Sequence, residues 1–188
     1  MEPHETSINR LGFSTIEILV TITVLAILAS IAVPMLSDLI NRQRLKGAAQ
    51  RVMDDYREAR SIALTSNHHV YLSFVPGDAK WCYGMDDETV CNCQVSNDCT
   101  VNGKEFVVSN DNFPNVAMLQ ARFAGGVAYT SFDPDRGLPK DNGMRNGTVW
   151  FQAPNGEQLA TVLSTTSRIR FCSPTLTEFT QCAAPTPN

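Results

Sequence analysis

No charged side chain occurs between Ile18 and Ser37 of this 188-residue chain. That absence spans about the length a helix needs to cross a ~30 Å hydrocarbon core. Positive charge is also short. Fifteen Lys and Arg against nineteen Asp and Glu leave a formal charge of −4. Neither nucleic acid nor an anionic membrane is therefore advertised as the partner of the whole molecule, and any basic site has to be local. There is no internal repeat, no nucleophile elbow and no comparable catalytic constellation, which argues against an enzyme. No full run of oxygen ligands for calcium occurs either. Asp133-x-Asp135-x-Gly137 and Asp86-Asp87-Glu88 are more economically explained by turn chemistry. His68-His69 supplies too few ligands for a metal centre and reads as an exposed connector. No metal and no cofactor are expected.

What is present is a greasy stem with a folded head. Glu17 sits just inside the N-terminal end of the apolar run, where a carboxylate costs at least ~2.5 kcal/mol and so implies a partner. Beyond Pro34 the pattern becomes one-sided. Leu36, Leu39, Ile40, Leu45, Ala48, Ala49, Val52, Met53, Tyr56, Ala59, Ile62 and Ala63 recur mostly at three- and four-residue steps, as on an amphipathic helix. One helix is expected from about residue 13 to about residue 65, its stripe gripping the head. Pro34 removes a backbone donor, so a kink or a melted turn is expected there, with Gly47 a second weak point. Arg42, Arg44, Lys46, Arg51, Arg57 and Arg60 sit mainly off the stripe, as a solvated face does.

From His69 the period drops to two. Strands are expected over residues 69–75, 80–85, 105–109, 116–120, 127–132, 148–152, 158–163 and 167–171, with a tight turn at Pro154-Asn155-Gly156. The fold class is α+β, a long N-terminal helix on one or two antiparallel sheets. Six cysteines in an exported head suggest disulfides. Cys172 and Cys182 can pair, a closure worth roughly 2–3 kcal/mol in the loop-entropy model. Among Cys82, Cys91, Cys93 and Cys99, a Cys91–Cys93 bond is sterically unfavourable, which leaves two pairings. The preferred one is Cys82–Cys91 with Cys93–Cys99. A zinc site is the weaker reading, because Cys-x-Cys lacks the usual spacer.

The order Gly12-Phe13-Ser14-Thr15-Ile16-Glu17, a short polar leader and then an apolar helix, resembles the class III signal of type IV pilins and type II secretion pseudopilins. The head adds Phe132-Asp133-Pro134-Asp135-Arg136-Gly137, Gly147-Thr148-Val149-Trp150-Phe151 and Ser167-Arg168-Ile169-Arg170. These resemble the GspH/FimT/FimU class of minor pilins and pseudopilins. The resemblance is strong over residues 12–66, patchy from 126 to 171, and does not reach the cysteine loop. It implies a leader over residues 1–12, a membrane or filament-core helix over 13–37, an amphipathic continuation over 38–66 and a head over 67–188.

A membrane prepilin peptidase would cut between Gly12 and Phe13 and methylate the new amine of Phe13. Glu17 would then neutralise the Phe13 amine of a neighbouring subunit. The implied product is a non-catalytic minor pilin of a pilus tip or priming complex, held in a bacterial inner membrane with its head in the periplasm. Its partners would be other minor pilins, the major pilin, the peptidase and the assembly platform. A GspH-type pseudopilin of type II secretion is one alternative. A DNA-uptake pilin of the FimT branch is another. That branch carries a Gly-Arg-x-Arg element associated with DNA binding. Arg168 and Arg170 match its arginines, but Ser167 stands where it has glycine. Residues two apart on a strand share a face, and paired guanidiniums hold phosphates bidentately. Lys140 and Arg145 are candidates to join them from the preceding loop.

Overall fold

The computed structural model describes residues 14–185, apart from the side chains of residues 33–35. The expected cleavage site, Gly12 and Phe13, lies outside the described residues. Two compact units emerge, Met1–Leu39 and Ile40–Asn188.

The helix α1 (Thr15–Ser66) starts where the Ser14 carbonyl accepts the N–H groups of Glu17 and Ile18 at 3.1 and 3.2 Å. Along its apolar half, Thr21, Thr23 and Ser30 turn their hydroxyls back onto the carbonyls of Ile18, Val20 and Ile27 at 2.7–2.8 Å. These three hydroxyl donors are thereby satisfied on an apolar surface. By length and composition this helix can cross a membrane. It ends at Asn67, whose φ of 60° is the left-handed cap position that Asn tolerates, and whose N–H bonds the Ala63 carbonyl at 3.1 Å. Helical structure is unbroken through Pro34 and Gly47, so neither melts a turn. At Gly47 the missing Cβ lets the Phe113 ring come close, since a Cβ would lie 3.2 Å from Phe113 Cε1.

In the second unit, Leu45, Ala48, Ala49, Val52, Tyr56, Ala59 and Ala63 of α1 are all buried. Leu36, Leu39 and Ile40, which the periodicity assigned to the same stripe, are exposed. Burial begins only at Leu45 because an apolar stripe is buried only where packed neighbours cover it. Small residues along it let the sheets approach closely, and Thr161 Oγ1 donates to the Ala49 carbonyl at 3.0 Å.

The first sheet has the order β5 (Val107–Ser109), β2 (Cys82–Asp86), β1 (Val70–Val75), β7 (Tyr129–Phe132), all antiparallel. The second runs β11 (Thr180–Gln181), β10 (Ile169–Ser173), β9 (Gln158–Leu163), β8 (Gly147–Gln152), β6 (Ala117–Phe123). It is antiparallel except for the β10–β11 pair. Both inner faces and the helix stripe form one core, with Trp81, Tyr83, Phe74 and Phe151 at its centre.

Eight of these strands overlap those expected from the sequence. The short hairpin β3 (Thr100–Val101) and β4 (Lys104–Glu105) and the edge strand β11 were not anticipated. Two-residue strands have no legible period. In the expected turn only Gly156 takes a positive φ, 84°. The Asn-Gly pairs with both angles positive are Asn102-Gly103, between β3 and β4, and Asn142-Gly143, in the loop before β8.

All six cysteines are bonded: Cys82–Cys93, Cys91–Cys99 and Cys172–Cys182. The last is as expected, and bonding of all six excludes a thiolate zinc site. The preferred pairing of the other four is corrected to the second alternative. The loop after β2 folds back over that strand's outer face. Cys93 meets Cys82, while Cys99 sits on Gly84, where a Cβ would collide with its sulfur. Nearest-neighbour pairing along the chain missed this because the outer face of β2, not loop length, decides which sulfurs meet.

Candidate functional site

Glu17 stands in the first turn of α1 with its side chain exposed, as are Ile16, Leu19, Val20, Leu25, Leu28 and Ile31 along the same helix. Among the described residues no ion pair engages its carboxylate.

Two of the head segments singled out in the sequence, Phe132–Gly137 and Ser167–Arg170, meet at one place. Asp133 organises the turn after β7: its Oδ1 accepts the Arg136 N–H at 2.7 Å and its carbonyl accepts the Gly137 N–H at 3.0 Å. Turn chemistry therefore accounts for Asp133, as expected. Asp86 is used alike, accepting from the N–H groups of Glu88, Thr89 and Thr100 at 2.8–3.0 Å. Gly137 has φ of +60°, and a Cβ there would lie 2.7 Å from Arg60 Cγ on α1. Its carbonyl accepts a 2.5 Å hydrogen bond from Ser167 Oγ. Ser167 itself has φ of 59°, a left-handed conformation that glycine adopts without strain. Here a serine adopts that backbone, and its buried hydroxyl ties the β9–β10 turn to the Asp133–Gly137 turn.

That turn is closed by Ser164. Its Oγ accepts the Arg168 N–H at 3.0 Å, and its N–H donates to the Arg168 carbonyl at 2.9 Å. Arg168 and Arg170 follow, both exposed, while Ile169 and Phe171 between and beyond them pack into the core. The two guanidiniums consequently belong to the outer face of the second sheet, as expected from strand alternation. Arg145 does not join them. It ion-pairs with Asp141 at 3.7 Å, lies 5.2 Å over the Tyr129 ring and donates to the Ala124 carbonyl at 3.2 Å. It is committed to the loop that covers β7. Lys140 lies in that loop too, its N–H on the Ser131 carbonyl at 3.1 Å and its side chain exposed.

A buried polar group that periodicity did not mark lies under the core. Asp55 is 1% exposed. Its Oδ2 accepts from Tyr83 OH at 2.5 Å and Arg51 Nε at 3.1 Å. Burial pushes its carboxyl above the ordinary range, against the pull of Tyr83 and Arg51, and burial also pushes the Tyr83 phenol well up. An acid flanked by Val52 and Tyr56 on the stripe was the available signal.

A protein-family model described as Type II transport protein GspH matches residues 48–174. The chain belongs to the GspH family. The GspH match takes in α1 from Ala48 onward, every strand of both sheets except β11, and the Ser167–Arg170 segment. A search of curated protein sequences finds no match. Among solved structures, the crystal structure of the type IV minor pilin FimU of Pseudomonas aeruginosa (strain PAO1) is similar at 16% identity. It covers 69% of this chain and 88% of that chain, with a TM-score of 0.40.

Proposed function

We propose that this GspH-family chain is a minor type IV pilin, a non-catalytic subunit that helps prime or cap a pilus. One observation carries this reading: large hydrophobic side chains of α1 from Ile16 to Leu36 are exposed. A surface of that size demands another apolar environment, first lipid and then the packed helices of a fibre. Residues 1–12 act as the leader, cut between Gly12 and Phe13 by the prepilin peptidase, which then methylates Phe13. The precursor waits in the inner membrane with its head in the periplasm. On extraction, Glu17 meets the Phe13 amine of a neighbour. A charge in low dielectric is tolerable only when its opposite is buried with it, so the pair sets register.

Mass spectrometry of the mature N-terminus tests the pathway. The expected result is a chain beginning at N-methylated Phe13 that co-fractionates with fibres. An uncut Met1, in cells that possess the peptidase, overturns it. The family description, a type II transport protein, favours a second reading as a pseudopilin of type II secretion. Deletion strains separate the two by whether twitching fibres or exported enzymes are lost. The exposure of Arg168 and Arg170 on one face supports a further role in holding DNA at the pilus.

A further inference from the structure

The four cysteines that tie the loop after β2 are bonded out of chain order. Cys82–Cys93 and Cys91–Cys99 interlock, since Cys91 lies inside the first loop and Cys99 outside it. Chain statistics do not select that arrangement. Pairing in chain order closes loops of nine and six residues instead of eleven and eight, and closure entropy favours the shorter set about twofold. What selects the native pairs is the folded first sheet. Ser73 of β1 stands opposite Gly84 of β2. Ser73 Oγ accepts the Cys91 N–H at 3.1 Å, and the Cys99 sulfur occupies the space over Gly84. Cys91 and Cys99 are thus seated over one cross-strand pair. Cys82 lies two residues along β2, opposite Val75, and bonds Cys93 there.

A chain oxidised in order before this sheet forms is trapped. All six cysteines pair and none is left free. Once fully oxidised in either arrangement, the chain has no thiolate of its own, and thiol–disulfide exchange starts only from a thiolate. An outside thiolate has to begin the correction.

We propose that the cysteine loop is a substrate of a protein dithiol isomerase, which converts Cys82–Cys91 with Cys93–Cys99 into the native pairs. The isomerase thiolate attacks Cys91 Sγ, forming a mixed disulfide and releasing the Cys82 thiolate. The Cys82 thiolate attacks Cys93 Sγ, forming Cys82–Cys93 and releasing the Cys99 thiolate. That thiolate attacks Cys91 Sγ, forming Cys91–Cys99 and returning the isomerase thiolate. Three S–S bonds break and three form, so no oxidant, reductant or net proton is consumed. The seats on Ser73 and Gly84 favour the last step, and Cys99 ends 0% exposed. Cys172–Cys182 joins consecutive cysteines and needs no such exchange. The inference requires only that the head reach an oxidising compartment, whether for a pilus or for secretion.

The test refolds the reduced full-length chain in an uncharged detergent, with its disulfides mapped by proteolysis and mass spectrometry. A thiol-free oxidant alone should leave chain-order bonds that persist. A purified protein dithiol isomerase should then raise the native pairs severalfold, while its variant with the attacking cysteine changed to serine should not. Native pairs formed by the oxidant alone overturn the proposal. So does a chain-order product that the active isomerase leaves unchanged. Removing one native bond should also remove the need for help. The Cys82→Ala/Cys93→Ala variant has one loop pairing left and should gain nothing from the isomerase. Cys91→Ala/Cys99→Ala serves the same purpose should the first variant not fold. Undiminished dependence in a variant that folds would place the barrier elsewhere and overturn the proposal. Because refolding involves neither the leader nor a fibre, an uncut Met1 in cells would sink the pilin reading and leave this result standing.

Discussion

The two halves of α1 are both rich in Leu, Ile, Val and Ala, yet they do opposite things. Between Ile16 and Leu36 large apolar side chains are exposed; between Leu45 and Ala63 the inward-facing ones are sealed. The first half is apolar all round and lacks any charge after Glu17. The second is apolar on one stripe only, with arginines, glutamine and acids on the rest. An all-round apolar helix has no side to give water and is left for another medium. A one-sided helix is already half of an interface. The buried half is also bonded to the sheets by polar anchors, Asp55 to Tyr83 and Thr161 to the Ala49 carbonyl.

The largest expected effect would break this comparison at its exposed end. Glu17→Ala should leave cleavage and membrane insertion intact and remove the chain from fibres, read by immunoblotting sheared filaments. Normal incorporation would refute the assembly role. Next come paired truncations. Leu45→Ala should destabilise the head by about 2–5 kcal/mol, while Leu28→Ala should leave head unfolding unchanged in denaturant melts. Similar losses for both would mean that the halves are not energetically distinct.

Asp55→Ala leaves the buried Tyr83 hydroxyl without its acceptor and should cost about 1–3 kcal/mol. Asp55 adds a pH signature. Burial raises its pKa above the ordinary value of 3.8, so the folded state holds the proton more tightly than the unfolded chain. Its contribution is therefore fully present below pH 3.8 and is lost as pH rises through the folded value. Asp55→Asn should remove that decline, so wild type and variant should diverge in urea melts run from acid upward. Parallel pH profiles would show that Asp55 titrates as it does unfolded.

A smaller effect is expected at Ser167. Ser167→Ala keeps the left-handed backbone but loses the bond to Gly137, costing about 1 kcal/mol. Ser167→Gly relieves strain worth about 1 kcal/mol and should come out closer to wild type. Alanine outperforming glycine in thermal melts would contradict the left-handed assignment. The smallest change belongs to Glu178→Gln. Lys46, by its hydrogen bond, lowers the Glu178 pKa. The pair's contribution is present above the ordinary value of 4.5 and fades as pH falls through the folded one, and salt should erase what remains.

Much of the architecture was legible because period and length are local properties. Val149, Trp150 and Phe151 alternate sides in β8, and α1 shows an apolar run before Pro34 and helical spacing after it. The short strands β3, β4 and β11 escaped because two residues carry no period. The exposure of Leu36, Leu39 and Ile40 escaped because periodicity names a face without naming its cover. At the candidate site, Arg168 and Arg170 were found by spacing. Arg145 was misassigned because its partners, Asp141, Tyr129 and the Ala124 carbonyl, meet only in the folded loop.

Sequence by itself determined the charge-free run, the lone Glu17, the helix and the alternation of the longer strands, because each follows from neighbours along the backbone. Only tertiary structure decided which sulfurs bond, which arginines remain free, and why Ser167 can stand in a glycine's place. Those outcomes depend on groups that chain folding brings within a few ångströms, where a carbonyl, a carboxylate or a bare Gly84 settles the matter.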